Sequence, residues 1–203
     1  MSFYLRPTQK TVHEIEIKRS RFIGHAIALT HTRELSALQT ELQAQHPRAS
    51  HHCLAYVLGG PSKPIAAGSS DDGEPSGTAG KPMLNVLLQQ QIGDVGVVVT
   101  RYFGGTKLGA GGLIRAYAQA VAELVKVLPL ERVESSVELS FSYPYNLEPQ
   151  IQRILSQAQV QLQEEQFGEL VSKVLSVVES DFPALKASLE ALAHLGVSIT
   201  PKP

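Results

Sequence analysis

The chain has only one cysteine, Cys53, among its 203 residues. One cysteine excludes an intramolecular disulfide and any metal site built from several cysteines. The chain also lacks a run of the roughly 18 to 20 apolar residues that a membrane-spanning helix needs, and its opening stretch "MSFYLRPTQK" lacks the apolar core of a signal peptide. We therefore expect a cytoplasmic protein with no membrane partner.

Charged residues make up only 18% of the chain, and hydrophobic residues make up 43%, which is typical of a folded globular protein. Residues 1–128 carry 13 Lys and Arg against 9 Asp and Glu, whereas residues 129–203 carry 5 against 10. Glycine follows the same division, with 14 of its 16 occurrences before residue 129. The sequence therefore predicts two domains, a basic one at 1–130 and an acidic one at 131–203, and the basic domain is the better partner for an anion.

The acidic part has the periodicity of alternating strands and helices. "VELSFSY" alternates as a strand does, and "NLEPQIQRILSQAQ" predicts a helix with Asn146 as its N-cap. Two paired strands follow, and then a helix capped by Asp181, with leucines on one face at 185, 189, 192 and 195. "VSIT" adds a last strand. The order βαββαβ predicts a ferredoxin-like domain.

The basic part predicts a mixed α/β domain, so the whole chain is expected to be α+β. "VGVVVTRY" is continuously apolar and predicts a central strand covered on both faces. "PMLNVLLQQQ" predicts a helix that starts at Pro82, because proline suits the first turn, and "GLIRAYAQAVAELVKVL" predicts a longer one. Residues 129–136 are predicted to be a linker.

The stretch "SDDGEPSGTAGKP" combines three carboxylates with glycines and a lysine. It fails the phosphate-loop pattern because Pro75 and Pro82 occupy the positions of a glycine and a hydroxyl residue, which argues against a nucleoside triphosphatase. Amides at the helix start and Lys81 still allow a weak anion site. The acidic cluster could hold magnesium or calcium, but without a ligand-spacing pattern it is more typical of turns and helix caps, so we predict no metal. The cluster consists of Asp71, Asp72 and Glu74.

A second glycine-rich stretch, "RYFGGTKLGAGGLIRAY", runs from a strand through a loop into a helix. The dinucleotide pattern G-x-G-x-x-G fails because Ile114 stands where the third glycine belongs. Free amides at a helix N-terminus nevertheless favour a negative group, and basic residues lie on both sides. The alternative is that the glycines only permit positive φ and close packing. The predicted phosphate contacts here are Arg101, Gly104, Gly105, Lys107, Gly111, Gly112 and Arg115.

The third group of polar residues is His51, His52 and Cys53, at the start of a predicted strand. Neighbouring strand residues point to opposite faces, so His51 and Cys53 share one face while His52 takes the other, which argues against a compact metal site. A Cys/His nucleophilic pair is possible, although a free cysteine is usually a buried small hydrophobe. A histidine could instead donate to a phosphate, and Arg21 in "KRSRF" adds another basic group.

Four stretches, "KRSRFIG", "HHCLAYVLG", "SDDGEPSGTAGKPML" and "RYFGGTKLGAGGLIRAY", occur in this order. Together they resemble the IMPACT family, in particular its bacterial YigZ-type members, over nearly the whole chain. The resemblance implies an N-terminal domain like the second domain of ribosomal protein S5 and a C-terminal domain similar to one of elongation factor G. Eukaryotic members regulate translation by binding the activator of a kinase, but this chain lacks their additional N-terminal RWD domain.

These observations favour a regulator of translation that binds RNA, the ribosome or a translation-associated protein through its basic domain. The resemblance assigns no catalytic residue and no cofactor. The alternative is an enzyme that acts on a small phosphorylated compound, with the second glycine loop as the cradle and Asp71, Asp72 or His51 as the acid or base. A third hypothesis makes the glycine loops a surface for a protein partner.

Overall fold

A computed structural model describes residues 3–134 and 136–200 of the chain. It is a mixed α/β structure whose internal contacts divide it into two units, a front unit at Tyr4–Val133 and a back unit that contains Phe3 and the described residues from Glu134 onward. Within the described ranges, no helix is both long and apolar enough to cross a bilayer.

The front unit is built around a five-stranded sheet in the order β2-β3-β6-β4-β5, in which all neighbouring strands are antiparallel. A separate two-stranded sheet joins β1 to β7. The elements are β1 (Phe3–Pro7), β2 (Thr11–Ile17), β3 (Ser20–Ala28), α1 (Thr32–Gln45), β4 (His51–Leu58), β5 (Ala66–Ser70), α2 (Gly80–Gln89), β6 (Val95–Tyr102), α3 (Ala110–Val127) and β7 (Leu130–Glu134).

The predicted central strand is confirmed, because β6 is the middle strand of the five and is buried along nearly its whole length. Val97 and Val99 belong to the larger core with α2 and α3, whereas Val98 belongs to a smaller core with the leucines of α1. Alternate residues of β6 therefore point to opposite faces of the sheet, and helices cover both faces. This double coverage explains the continuous apolar run.

Two predictions about the front unit are wrong. Helix α2 begins at Gly80 rather than at Pro82, because Asp71 accepts hydrogen bonds from the amides of Ala79 and Gly80 and so stabilises an earlier start. The predicted linker at 129–136 contains the strand β7, which pairs with β1. β1 and β5 were not predicted, since β1 is short and half-polar and β5, with sequence AAGSS, has few residues of high β-propensity.

The back unit has the predicted element order βαββαβ. Its four strands form an antiparallel sheet in the order β11-β8-β10-β9. The elements are β8 (Ser136–Tyr143), α4 (Glu148–Leu155), β9 (Val160–Phe167), β10 (Val171–Val178), α5 (Phe182–Glu190) and β11 (Ser198–Thr200). Residues from the two helices and from one face of the sheet form a single core.

Helix boundaries in the back unit differ from the predicted ones. A 3-10 turn, Tyr145–Leu147, precedes α4, so Asn146 lies within that turn and is not the N-cap. Asp181 stands at the N-cap position of α5, but its carboxylate accepts the amide of Gln159 instead of capping its own helix. Leu195 is 45% exposed because α5 has already ended, whereas the other three leucines of the predicted stripe are buried.

His25 is a buried histidine of β3 whose two ring nitrogens find no hydrogen-bond partner among residues 3–134 and 136–200. Burial, followed by the nearby charges of Lys10 and His46, lowers the pKa of His25 from its ordinary value of 6.5 to about 4. Glu41 opposes this shift, and His52 adds to it. The folded chain therefore holds this imidazole neutral at pH values where the unfolded chain protonates it.

We expect the free energy of unfolding to fall as the pH drops from about 6.5 to about 4, by up to about 3 kcal/mol from His25, and to lose nothing more from this residue below that range. The variant His25→Leu should lack this part of the pH dependence and should be more stable near pH 5, since it removes two unsatisfied buried nitrogens. Urea unfolding of both proteins across this range measures the difference. Parallel stability curves for the two proteins would show that His25 is not the cause.

Candidate polyanion-binding surface

The candidate site lies at the edge of the front sheet that is formed by the ends of its strands, where β3 and β4 begin and β6 ends. The register sets Arg101 between Phe22 of β3 and His51 of β4. Three loops start or end at this edge, namely the β2–β3 turn, residues 71–79 and residues 103–109. The glycine-rich stretches singled out in the sequence therefore belong to one end of one sheet.

Asp71 fills the N-terminus of α2 with its own carboxylate. Its oxygens accept the amides of Gly77 at 2.7 Å, Ala79 at 2.9 Å and Gly80 at 2.8 Å. Partial burial would raise the pKa of Asp71, but these three hydrogen bonds outweigh it and lower the pKa below its ordinary value. The amides expected to bind an external anion at this helix are therefore occupied, and that premise of the predicted site was wrong.

Asp72 and Glu74 are also hydrogen-bond acceptors inside the protein. The carboxylate of Asp72 accepts the backbone amide of His52 at 2.6 Å, and its carbonyl oxygen lies 2.8 Å from Nδ1 of His51. Glu74 is only 8% exposed and accepts from Arg101 and Tyr117. The acidic loop thus forms caps and turns, the alternative that the sequence favoured. The carboxylates do not point together toward an open site.

Arg101 forms a buried ion pair with Glu74 at 2.5 Å. Its side chain is 6% exposed, and its Cζ lies 5.5 Å from the ring centre of Phe22 and 5.7 Å from that of Phe103. In the part of the chain that the structure describes, its Nε atom has no hydrogen-bond partner. Arg101 was predicted to contact phosphate, but its burial against Glu74 makes it part of the framework beneath the surface.

Cys53 and Tyr117 complete this buried cluster. The sulfur of Cys53 lies 3.0 Å from the carbonyl oxygen of Asp71 and 3.3 Å from the hydroxyl of Tyr117, which donates to Glu74 at 2.8 Å. Burial raises the pKa of Cys53 to about 12 despite the hydrogen bond with Tyr117. The thiol therefore stays protonated at neutral pH, which removes support from a Cys/His nucleophile.

The two histidines lie on opposite faces of the sheet, as predicted. His51 shares the face of Cys53, with Nε2 at 3.8 Å from Glu74, and its side chain is 23% exposed. His52 is 6% exposed on the other face, where Nδ1 lies 3.0 Å from the hydroxyl of Thr100. His52 was predicted to contact phosphate, but this burial keeps its ring away from the surface.

Arg21 also lies apart from the glycine-rich loop. Its guanidinium donates twice to Glu14, at 2.6 and 2.9 Å, and lies 5.4 Å from the ring centre of Tyr102. Arg21 and Tyr102 are opposite each other in the register, one position away from Phe22 and Arg101. They therefore face the other side of the sheet from Phe22 and Arg101, and the structure does not bring Arg21, a predicted phosphate contact, together with the glycine-rich loop.

Gly104 makes the closest approach in this part of the fold. A Cβ atom at this position would lie 2.0 Å from the backbone of Arg19 and 2.4 Å from the nitrogen of Ser20. The amide of Gly104 donates to the hydroxyl of Ser20 at 3.1 Å, and Arg19 donates to Thr106 at 3.2 Å. This glycine therefore anchors the loop to the β2–β3 turn and is not an open contact for phosphate.

The rest of the loop is open. Gly105 and Gly109 have φ values of +83° and +70°, and a Cβ at either would meet no atom within 4 Å. At Gly111 a Cβ would meet only the end of the Arg115 side chain, at 3.7 Å. Among the described residues, no side chain caps the N-terminus of α3, whereas Asp71 fills that of α2. Gly112 is less open than the other glycines, because a Cβ there would lie 3.0 Å from the Cβ of Leu108.

The loop and the first turns of α3 also carry exposed cations and one exposed ring. Lys107 and Arg115 are exposed and form no ion pair with any residue in the described ranges. Phe103 is 49% exposed at the end of β6. We call this area the glycine-loop surface, and it consists of Phe103, Gly105, Lys107, Gly109, Gly111, Gly112 and Arg115. Lys81 is also exposed, in the first turn of α2.

Comparison with known proteins places this arrangement in a family. A family model described as the Impact N-terminal domain matches residues 18–125, which include every residue of the glycine-loop surface. The chain belongs to the IMPACT family. A second model, a domain of unknown function named DUF1949, matches residues 141–194 of the back unit.

The similarity to bacterial IMPACT proteins covers most of the chain. An IMPACT family member from Haemophilus influenzae is 38% identical over 192 residues, which is 93% of this chain and 92% of that protein. The IMPACT family member YigZ from Escherichia coli is 39% identical over 160 residues, 77% of each chain. A crystal structure of a hypothetical protein superposes with a TM-score of 0.67 at 30% identity and covers 100% of this chain and 98% of that one.

Sequence reasoning missed two parts of the IMPACT-domain site. Tyr117 was treated only as a helix residue, yet its hydroxyl joins the buried cluster eight residues into α3. Lys18 and Arg19 were noted only as a charged turn, but both have positive φ, 48° and 66°, and they form the tight turn against which Gly104 packs. The two-residue spacing between β2 and β3 was the available signal for that turn.

Proposed function

We propose that this IMPACT protein is a regulator of translation that binds RNA, free or in the ribosome, through the glycine-loop surface. The observation that carries the proposal is an N-terminus of α3 that no side chain of the described residues caps, in a segment that also carries the half-exposed ring of Phe103 and two cations, Lys107 and Arg115, without an ion pair among those residues. Free amides and cations hold phosphate oxygens, and an exposed ring stacks on bases. The translational role is carried over from the eukaryotic members that the sequence resembles.

The buried cluster supports this proposal by fixing the strand from which the loop departs. Arg101 forms an ion pair with Glu74, and its guanidinium packs against the ring of Phe103. The next residue of the loop, Gly104, is anchored by its own amide, which donates to the hydroxyl of Ser20 after the β2–β3 turn. The exposed part of the loop therefore starts from a rigid base, which limits the entropy lost when it binds.

The finer fold assignments belong to the same proposal. The element order βαββαβ of the back unit supports a ferredoxin-like domain. The likeness of the front domain to ribosomal protein S5, and the predicted boundary at residues 130 and 131, stay predictions. A cytoplasmic location agrees with a role in translation.

The enzyme alternative has less support from the geometry. Asp71 and Asp72 were proposed as the acid or base, but the carboxylates of both accept hydrogen bonds from backbone amides of other residues. An enzyme would need these groups to point together into one cavity beside the glycine loop. A protein-binding role of the same surface is an outcome of the experiment below.

We expect the double variant Lys107→Glu/Arg115→Glu to bind a single-stranded RNA 20-mer at least about tenfold more weakly than the parent chain, measured by fluorescence anisotropy. The slope of log affinity against log salt should decrease by about 1 to 2, because two phosphate contacts are lost. Both side chains are exposed, so folding should be unchanged.

The matched control is Lys63→Glu/Lys126→Glu, which makes the same change in net charge. Lys63 follows the far end of β4 and Lys126 lies in the last turn of α3. Equal losses in the two double variants would mean that only net charge matters. RNA affinity that does not change with salt would contradict the proposal directly.

A further inference from the structure

The back unit exposes a pair of stacked aromatic rings. Tyr145 and Phe167 have ring centres 6.5 Å apart with an interplanar angle of 22°, and they are 51% and 68% exposed. The hydroxyl of Tyr145 donates to the carbonyl oxygen of Gly168 at 2.9 Å, which ties this ring to the β9–β10 turn. The pair is therefore held in place although neither ring is in the core.

Further apolar side chains extend this surface. Leu170 is 40% exposed and lines a depression together with Phe167, Gly168 and Glu169. Along β9, Leu162 is 51% exposed. The register pairs Leu162 with Leu175 and Phe167 with Val171, and both partners are core residues. Leu162 and Phe167 thus point to the helix-covered face, but on an edge strand that the helices leave open.

The charge around the rings is negative. The only Lys or Arg between residues 154 and 185 is Lys173, which is 3% exposed and held by Glu148 at 2.9 Å and Glu165 at 3.1 Å. Glu164 stands opposite Val174 in the register, so it lies on the other face of the sheet from Phe167. Within the described ranges, Glu169 of the β9–β10 turn forms no ion pair, and it lines the same depression as Phe167 and Leu170. One exposed carboxylate therefore lies beside these two side chains without a compensating cation.

We propose that Tyr145, Phe167 and Leu170, which we call the aromatic patch, dock a basic segment of a partner protein. Glu169 would pair with a Lys or Arg of this segment, while an aromatic or aliphatic side chain of the segment covers the rings. The same carboxylate repels phosphate, so charge complementarity favours a protein over a nucleic acid. The inference does not depend on RNA binding by the front unit.

The test uses a fluorescein-labelled peptide with a central phenylalanine between Lys and Arg residues, titrated with the full chain. We expect saturable binding that Phe167→Ser weakens about tenfold, because the ring is the largest exposed anchor. Glu169→Lys should also weaken binding, and should reduce its dependence on salt. The thermal unfolding of both variants should match that of the parent, since both positions are exposed.

Two variants elsewhere in the back unit serve as controls. Leu195→Ser removes a leucine that is 45% exposed, and Glu179→Lys reverses an exposed carboxylate. Neither should change binding, and a peptide with serine in place of phenylalanine should bind more weakly.

Several outcomes would overturn the inference. One is absence of saturable binding at about 1 mM peptide, which corresponds to a free energy of only about 4 kcal/mol. Equal losses of peptide affinity in the control variants would show that the effect comes from overall charge or from nonspecific hydrophobic binding. RNA binding or self-association that depends on Phe167 would assign the patch to a nucleic acid or to a second copy of the chain.

Discussion

Replacing Arg101 with methionine is expected to destabilise the protein by about 3 to 5 kcal/mol, because the change leaves a buried carboxylate without its cation. Glu74 has a side chain that is 3% exposed, so water cannot replace the lost guanidinium. Tyr117 would remain as a neutral donor, at 2.8 Å. Urea unfolding at neutral pH measures the loss as a lower midpoint at an unchanged slope.

Two further variants distinguish destabilisation by an uncompensated buried charge from destabilisation by the loss of any salt bridge. The double variant Glu74→Gln/Arg101→Met removes both charges and should recover much of the stability. Arg21→Met breaks an exposed pair with Glu14 and should hardly move the midpoint. If Arg101→Met and Arg21→Met have similar effects, the buried pair is not part of the framework of the site.

Gly104→Ala is expected to destabilise the protein by about 3 kcal/mol, since the added methyl group has no room. The new Cβ would lie 2.0 Å from the backbone of Arg19 and 2.4 Å from that of Ser20. Backbone atoms cannot rotate away as a side chain can, so the loop or the β2–β3 turn must move. Because the glycine-loop surface starts at this residue, we also expect weaker RNA binding.

Gly111→Ala is the matched control, because it adds the same methyl group to the same segment. This position is in the first turn of α3 and has open space, so alanine should stabilise the protein by about 0.5 kcal/mol through its helix propensity. Opposite signs in thermal unfolding of the two variants are the expected result. Similar destabilisation of both would show that the close contact at Gly104 is not what matters.

The periodic parts of the fold were predictable because local pattern and tertiary packing agree there. The strand β6 has apolar residues on both faces because helices cover both, and its bounds were predicted from that run. The strands β1 and β7 were not predicted, because they are short and pair across more than 120 residues, a separation that no local pattern reports. The end of α5 was predicted too late, because the leucine pattern continues into a 3-10 turn.

The sequence singled out the two glycine-rich stretches but did not predict their contacts. The structure brings both stretches to one end of the front sheet, yet the sequence cannot say which carboxylate fills a helix terminus. Asp71 reaches α2 across six to nine residues of loop, so the amides there are occupied. Likewise, the burial of Arg101 depends on a partner 27 residues away. At α3, where Gly111 and Gly112 led to the same prediction, no side chain of the described residues caps the helix start, and anion binding there stays a prediction.

The claim that the glycine-loop surface contacts RNA is tested most directly by crosslinking in living cells from a photoreactive residue at Ala110. This residue is exposed at the first position of α3, and a probe at Lys63 reports the background from the other end of the front sheet. We predict covalent adducts with RNA from position 110 that are absent from position 63. Adducts with protein alone from position 110, or equal amounts of RNA from both positions, would contradict RNA binding by this surface.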